Sequence, residues 1–181
     1  MTAFTQDSLG WSPWLEPLAE EELTAAHLEA LVDRARAASP YFRLLARDPG
    51  ILHARTQTDL DVFYNADGGL PRAERELAAT AVSRVNGCVF CASVHSRFAT
   101  HHSKRHDDVQ RLLDEGVEGP QEPRWRAIID AAAALTATPP SFDPAPLREA
   151  GLDDLAIADL VHAAAFFNWA NRLMLSLGEP S

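Results

Sequence analysis

Cys88, Cys91 and His95 fall at positions i, i+3 and i+7 of the run Cys88-Val89-Phe90-Cys91-Ala92-Ser93-Val94-His95, with Glu76 twelve residues before the first cysteine. They include both cysteines of a 181-residue chain. On a helix, residues three and four apart are surface neighbours, so the three side chains share one side with Cys91 in the middle. A disulfide needs Cα atoms roughly 4.4–6.8 Å apart, which an i, i+3 pair at a helix N-terminus meets with little movement. The pattern predicts a dithiol that opens and closes at low cost.

The reactive form of a thiol is the thiolate, and two agents that could produce it point to different cysteines. A helix N-terminus favours charge on Cys88. The base argument favours Cys91, because His95 lies one turn beyond it but about 10.5 Å along the axis from Cys88 at the usual helical rise. Glu76, on the preceding helix, is placed to orient His95 or to exchange protons with it. On this argument Cys91 is the attacking thiolate, Cys88 the resolving thiol, and His95 with Glu76 the proton relay. Two plainer readings compete. The cysteines could be small buried residues, or they could hold zinc with His95 and a fourth ligand such as His102, Glu76 or a residue of another subunit. Consecutive turns of one helix converge poorly on a tetrahedron, which weighs against the metal.

The elements that must position these groups read as helices throughout. Residues 21–38 carry Leu23, His27, Leu28, Leu31 and Ala35 at helical spacing up to Ser39-Pro40. Tyr41 to Arg47 is a short helical turn, Ile51 to Tyr64 a long helix, and Pro71 opens another over Arg72 to Asn86 that stops at Gly87. The cysteine helix starts at about Cys88 and runs to Thr100 or beyond, followed by Asp107 to Glu115, Arg124 to Thr136, a turn at Pro144 to Ala150, and a final helix capped by Asp153 that runs to about Leu177. No segment alternates with period two, so the class is all-α. Residues 1–20, with Trp11, Pro13, Trp14 and Pro17, read as an extended N-terminal arm, and 21–181 as a single helical domain whose redox core is about 70–115. Trp125, Phe63, Phe98 and Phe166 are core candidates, and His27, His53 and His162 are expected in the core or at an interface. His101, His102 and His106, beside Lys104 and Arg105, suit the C-terminal end of the cysteine helix. Asn168, Asn171 and Arg172 continue the apolar stripe of the final helix and therefore need partners, with Glu76 or Glu74 the guess for Arg172.

Composition excludes some classes of partner. With 16 Lys and Arg against 26 Asp and Glu, a net charge of -10 argues against a nucleic-acid or anionic-membrane surface. The first residues lack a basic n-region and an apolar h-region, so a cytoplasmic protein is expected. In that reducing compartment a closely spaced Cys pair suits redox or metal chemistry better than a structural staple.

The array Glu76…Cys88-x-x-Cys91-x-x-x-His95, with Leu70-Pro71-Arg72-Ala73-Glu74-Arg75-Glu76 before it, resembles the AhpD-like alkylhydroperoxidase branch of the carboxymuconolactone decarboxylase superfamily. The Trp11-Ser12-Pro13-Trp14 arm and Phe166-Phe167-Asn168-Trp169-Ala170-Asn171-Arg172 are similar to its peroxidase-related subgroup. The resemblance implies an all-helical homo-oligomer (dimer, trimer or hexamer) and a thiol peroxidase of antioxidant type. Cys91 then matches the peroxidatic cysteine, Cys88 its resolving partner, and Glu76 and His95 the relay. It implies no bound cofactor and an external dithiol donor, such as a lipoyl group on a partner protein. Two further readings are a disulfide or lipoyl oxidoreductase without peroxidase activity, and a non-catalytic, metal-binding helical oligomer. One departure matters: Phe90 stands where the best-studied branch has a second histidine, and Phe cannot move a proton. The decarboxylase branch lacks the cysteine pair, which argues against lactone chemistry.

Overall fold

A computed structural model describes residues 3–181; Met1 and Thr2 of the expected arm lie outside the described residues. Nine α-helices among the described residues account for most of the chain: α1 (Ala25–Leu31), α2 (Pro40–Leu45), α3 (Pro49–Tyr64), α4 (Arg72–Asn86), α5 (Val89–Ser103), α6 (His106–Glu115), α7 (Pro123–Thr136), α8 (Ala145–Glu149) and α9 (Asp154–Leu177). No described helix is long and apolar enough to cross a membrane.

The centre is α4. Every residue from Glu74 to Ser83 is buried, because α5, α7 and α9 pack around it. Small residues permit this: Ala78, Ala79 and Ala81 let neighbouring backbones approach, and Thr80 and Ser83 return their hydroxyls to the Glu76 and Ala79 carbonyls. Helix starts follow the local chemistry. Asp48, Glu122 and Asp153 each accept a hydrogen bond from a first-turn amide of α3, α7 and α9.

The helix expected over 21–38 is broken. α1 stops at Leu31, Val32 takes φ +63°, and a short 3₁₀ helix over Arg34–Ala38 restarts behind Asp33, which accepts from the Ala35 amide. A β-branched residue in that region is strained. The break lets Ala30 and Leu31 bury against Ala46 and Leu52, and brings Arg36 to 3.8 Å from Asp59 of α3.

Two strands too short to show alternation were not visible in the sequence. β1 (Trp11–Pro13) pairs antiparallel with β2 (Gly178–Pro180), Trp11 opposite Pro180. Trp11 packs edge-on to Tyr41 in the core, whereas Trp14 is exposed. Gly178 is required by this closure, since a Cβ there would lie 2.3 Å from the Trp11 ring.

Candidate active site: a dithiol between two cavities

Gly87 takes φ +77°, the left-handed turn that glycine adopts without strain. The next amide, Cys88 N–H, donates to Ser83 O at 2.9 Å and closes α4, while Cys88 O accepts from the Ala92 amide at 3.0 Å and opens α5. One cysteine backbone thus serves both helix ends.

The motif ahead of it divides its labour. Glu74 takes a bidentate pair from Arg124 of α7, with Nε and Nη2 at 2.7 and 2.9 Å. Arg75 donates to Leu70 O and to Val62 O and Asn65 O, gathering the end of α3. Glu76 is fully buried and its two oxygens meet different partners: Oε1 accepts from Arg72 Nε at 2.5 Å, and Oε2 faces His95 Nδ1 at 2.5 Å. A carboxylate on Nδ1 selects the tautomer that donates there and leaves Nε2 to accept a proton. Phe167, with centroids 4.1 Å apart, and Phe63, at 5.3 Å, hold the imidazole ring.

Both cysteines are free and buried. Cys91 shares a cavity of about 260 Å³ with His95 and Glu76, walled by Phe63, Phe90, Phe98 and Phe167. Cys88 borders a second cavity, about 300 Å³, with Phe4, Trp11, Met174 and Gly178. Phe90 and Met174 line both. The hydrogen bond from the Cys91 thiol holds Cys88 below the ordinary thiol range, although burial opposes it, and the Cys91 amide at the start of α5 adds to the effect. The same thiol pairing, then burial, pushes Cys91 well above that range. The two agents weighed in the sequence therefore act on different sulfurs: charge is favoured on Cys88, while the cavity and the base belong to Cys91.

Asn171 joins the site from α9. It is fully buried, accepts from Asn86 Nδ2 at 3.1 Å and donates to Ser83 Oγ at 3.1 Å. Its amide also hydrogen-bonds the thiols in the sense that favours both anions. Asn168 accepts from Asn86 at 3.0 Å, so the asparagine pair braces α9 against α4.

Other expectations need correction. Arg172 is exposed and pairs with neither acid, because Arg72 and His95 hold Glu76 and Arg124 holds Glu74. Of the two places expected for the histidines, the core does not hold His53 and His162, which are exposed, and half-buried His27 accepts from the Thr24 amide at the start of α1. Trp125, Phe63 and Phe166 are in the core, but Phe98 is half in solvent at the cavity mouth, 5.5 Å from the Arg72 guanidinium. His101, His102 and His106 are exposed beyond the site. Among the described residues, no group of three or more His, Cys, Asp or Glu side chains is placed to hold a metal.

Sequence reasoning missed Arg72 and Arg55 as cavity residues. The available signal was charge on an apolar stripe: Arg55 and Asp59 fall between Leu52 and Phe63 at helical spacing.

A sequence model of the carboxymuconolactone decarboxylase family matches residues 49–134. No curated protein sequence matches the chain. Among solved structures, it is similar to a peroxidase-related protein with an alkylhydroperoxidase AhpD core from Ralstonia eutropha (22% identity, 91% of this chain and 90% of that one, TM-score 0.78). It is also similar to a peroxidase-related protein of a Silicibacter species (25% identity, 92% and 88%, TM-score 0.71). The debrominase Bmp8 shares the fold at 16% identity over 90% and 89% of the two chains, with a TM-score of 0.70. The matched segment spans α3, the cysteine motif and most of α7.

Proposed function

We propose that this protein is a thiol-dependent peroxidase of antioxidant type, reducing organic hydroperoxides at Cys91. The observation that carries the reading is the shared cavity: Cys91 lies in one apolar chamber with an imidazole whose far nitrogen is fixed by a buried carboxylate. The peroxidase-related names of the similar structures support it.

His95 takes the Cys91 proton as the thiolate attacks the terminal peroxide oxygen. The O–O bond breaks, Cys91 becomes a sulfenic acid, and His95 returns the proton to the departing alkoxide, giving the alcohol. Cys88, already favoured as thiolate, attacks the sulfenic sulfur; a disulfide forms and hydroxide leaves with a proton as water. An external dithiol then reduces the disulfide by exchange and becomes a disulfide itself. A lipoyl group suits this role, and a reducing compartment such as the cytoplasm would keep it supplied. No bound cofactor enters the cycle.

Phe90 favours a second reading, in which the dithiol exchanges with disulfides or lipoyl groups and peroxide turnover is insignificant, because an apolar ring occupies the position between the cysteines. One experiment separates them: coupled turnover of cumene hydroperoxide with dihydrolipoamide, alongside mass spectrometry of the thiols. The peroxidase reading expects a Cys91 sulfenate that converts to the Cys88–Cys91 disulfide, and a fall of at least a hundredfold in Cys91→Ser. Equal slow consumption by both proteins, with a measurable dithiol potential, would select the second reading.

A further inference from the structure

Arg55 stands in the cavity wall without the partners a buried guanidinium requires. Its side chain is 9% exposed, and its Nε and Nη1 make no hydrogen bond among the described residues. Asp59, one turn on, is 3.7 Å from Nη1, outside good hydrogen-bonding range. That carboxylate is also shared: Arg36 lies 3.8 Å from the same oxygen, and Arg36 Nη1 is itself buried without a hydrogen bond. Two guanidiniums therefore share one carboxylate, with Arg55 and Asp59 lining the chamber and Arg36 behind them.

The remaining neighbours hold Arg55 but leave its Nε and Nη1 unsatisfied. The rings of Phe42 and Phe166 flank the guanidinium at 5.4 and 5.5 Å from their centroids. Ring faces attract the cation but supply no lone pair for its N–H groups. The Tyr41 hydroxyl lies within hydrogen-bonding reach of the guanidinium, but burial raises its pKa to about 12, so it stays a neutral phenol that leaves the charge uncompensated and Nε and Nη1 without partners. A buried cation with free donors is costly to maintain and calls for an explanation, which an acceptor taken up from solution would supply.

Arg55 lines the same cavity as Cys91 and His95, and its charge reaches the Cys91 sulfur. We propose that Arg55, backed by Arg36, forms a carboxylate subsite, so that the substrate is an organic hydroperoxide that also carries a carboxylate. The acid group pairs with the Arg55 donors, the apolar body lies among the aromatic rings, and the peroxide oxygen is presented to Cys91. A chamber of about 260 Å³ suits an aromatic or short-chain acid. Hydrogen peroxide and neutral alkyl hydroperoxides leave the cation unpaired and are the poorer substrates. This substrate class rests on the peroxidase reading, but the subsite itself is testable without turnover.

The test uses the reduced, full-length protein and iodoacetamide, a neutral reagent, with site-resolved mass spectrometry of Cys91. Benzoate is expected to slow Cys91 alkylation saturably, by at least fivefold, while benzamide, its neutral isostere, does not. Arg55→Gln should abolish the protection and Arg55→Lys retain part of it. Equal protection by benzoate and benzamide in the unmodified protein, or benzoate protection that survives Arg55→Gln, overturns the subsite; the first comparison needs no variant to fold. In turnover, the kcat/KM ratio for a carboxylate-bearing aromatic hydroperoxide over cumene hydroperoxide should fall at least tenfold in Arg55→Gln, and an unchanged ratio contradicts the proposal. If neither hydroperoxide is consumed but benzoate protection depends on Arg55, the subsite stands and the peroxidase reading fails.

Discussion

Cys88 and Cys91 are the same chemical group three residues apart, and their surroundings make them opposites. The Cys91 thiol donates to Cys88 and so stabilises a thiolate there, while a charge on Cys88 makes a second charge on Cys91 costly. Ultraviolet thiolate absorbance should therefore rise in one step below the ordinary cysteine range, with the second displaced well above it. The signs of the single substitutions follow. Cys91→Ala removes the donor, so the Cys88 step should move up in pH; Cys88→Ala removes the neighbouring anion, so the Cys91 step should move down. Two coincident steps in the unsubstituted protein would refute the coupling. The four residues of the array were legible in the sequence because spacing alone puts them on facing helices. Arg55 was not, since its significance is what it lacks, and an absent hydrogen-bond partner leaves no trace in residue order.

At the scale of elements, punctuation made most of the fold readable. Pro49, Pro71, Gly87 and Pro123 mark helix boundaries directly, through a missing amide or a left-handed turn. The break after Leu31 was hidden because no such residue stands there: Val32 is driven into an unfavourable conformation by the burial of its neighbours, a tertiary effect. The same limit explains Arg172. Helical spacing placed it near the asparagines but could not show that both acids already had partners on α4, α5 and α7. The Glu74–Arg124 pair gives this arrangement an energetic test. Glu74 is buried, while the Arg124 side chain is one-third exposed. Arg124→Met strands a carboxylate in the interior and should cost about 3–5 kcal/mol, whereas Glu74→Gln leaves an arginine that can reach water and should cost about 1–2 kcal/mol. Urea denaturation midpoints measure both, and equal losses would contradict the asymmetry.

Across the whole molecule, the β1–β2 pairing closes the Cys88 side. Trp11 and Gly178 both wall that cavity, and Gly178 has no room for a side chain against the Trp11 ring. Gly178→Val should displace Trp11 and raise the rate of Cys88 alkylation several-fold with little change at Cys91, as read by time-resolved mass spectrometry; parallel increases at both sulfurs would mean general loosening. Large apolar side chains left in solvent, including Trp14, Ile51, Tyr64 and Leu155, are what the homo-oligomer implied by the sequence resemblance would cover, and light scattering should then give a mass above one chain. The separation of the two sulfurs into two cavities also has a kinetic meaning. If oxidant and reductant reach the dithiol from opposite sides, neither occupies the other's place. High hydroperoxide should then leave kcat/KM for the donor dithiol unaltered, with parallel double-reciprocal plots and no competitive substrate inhibition. A single shared doorway would instead make each reagent an inhibitor of the other's half-reaction.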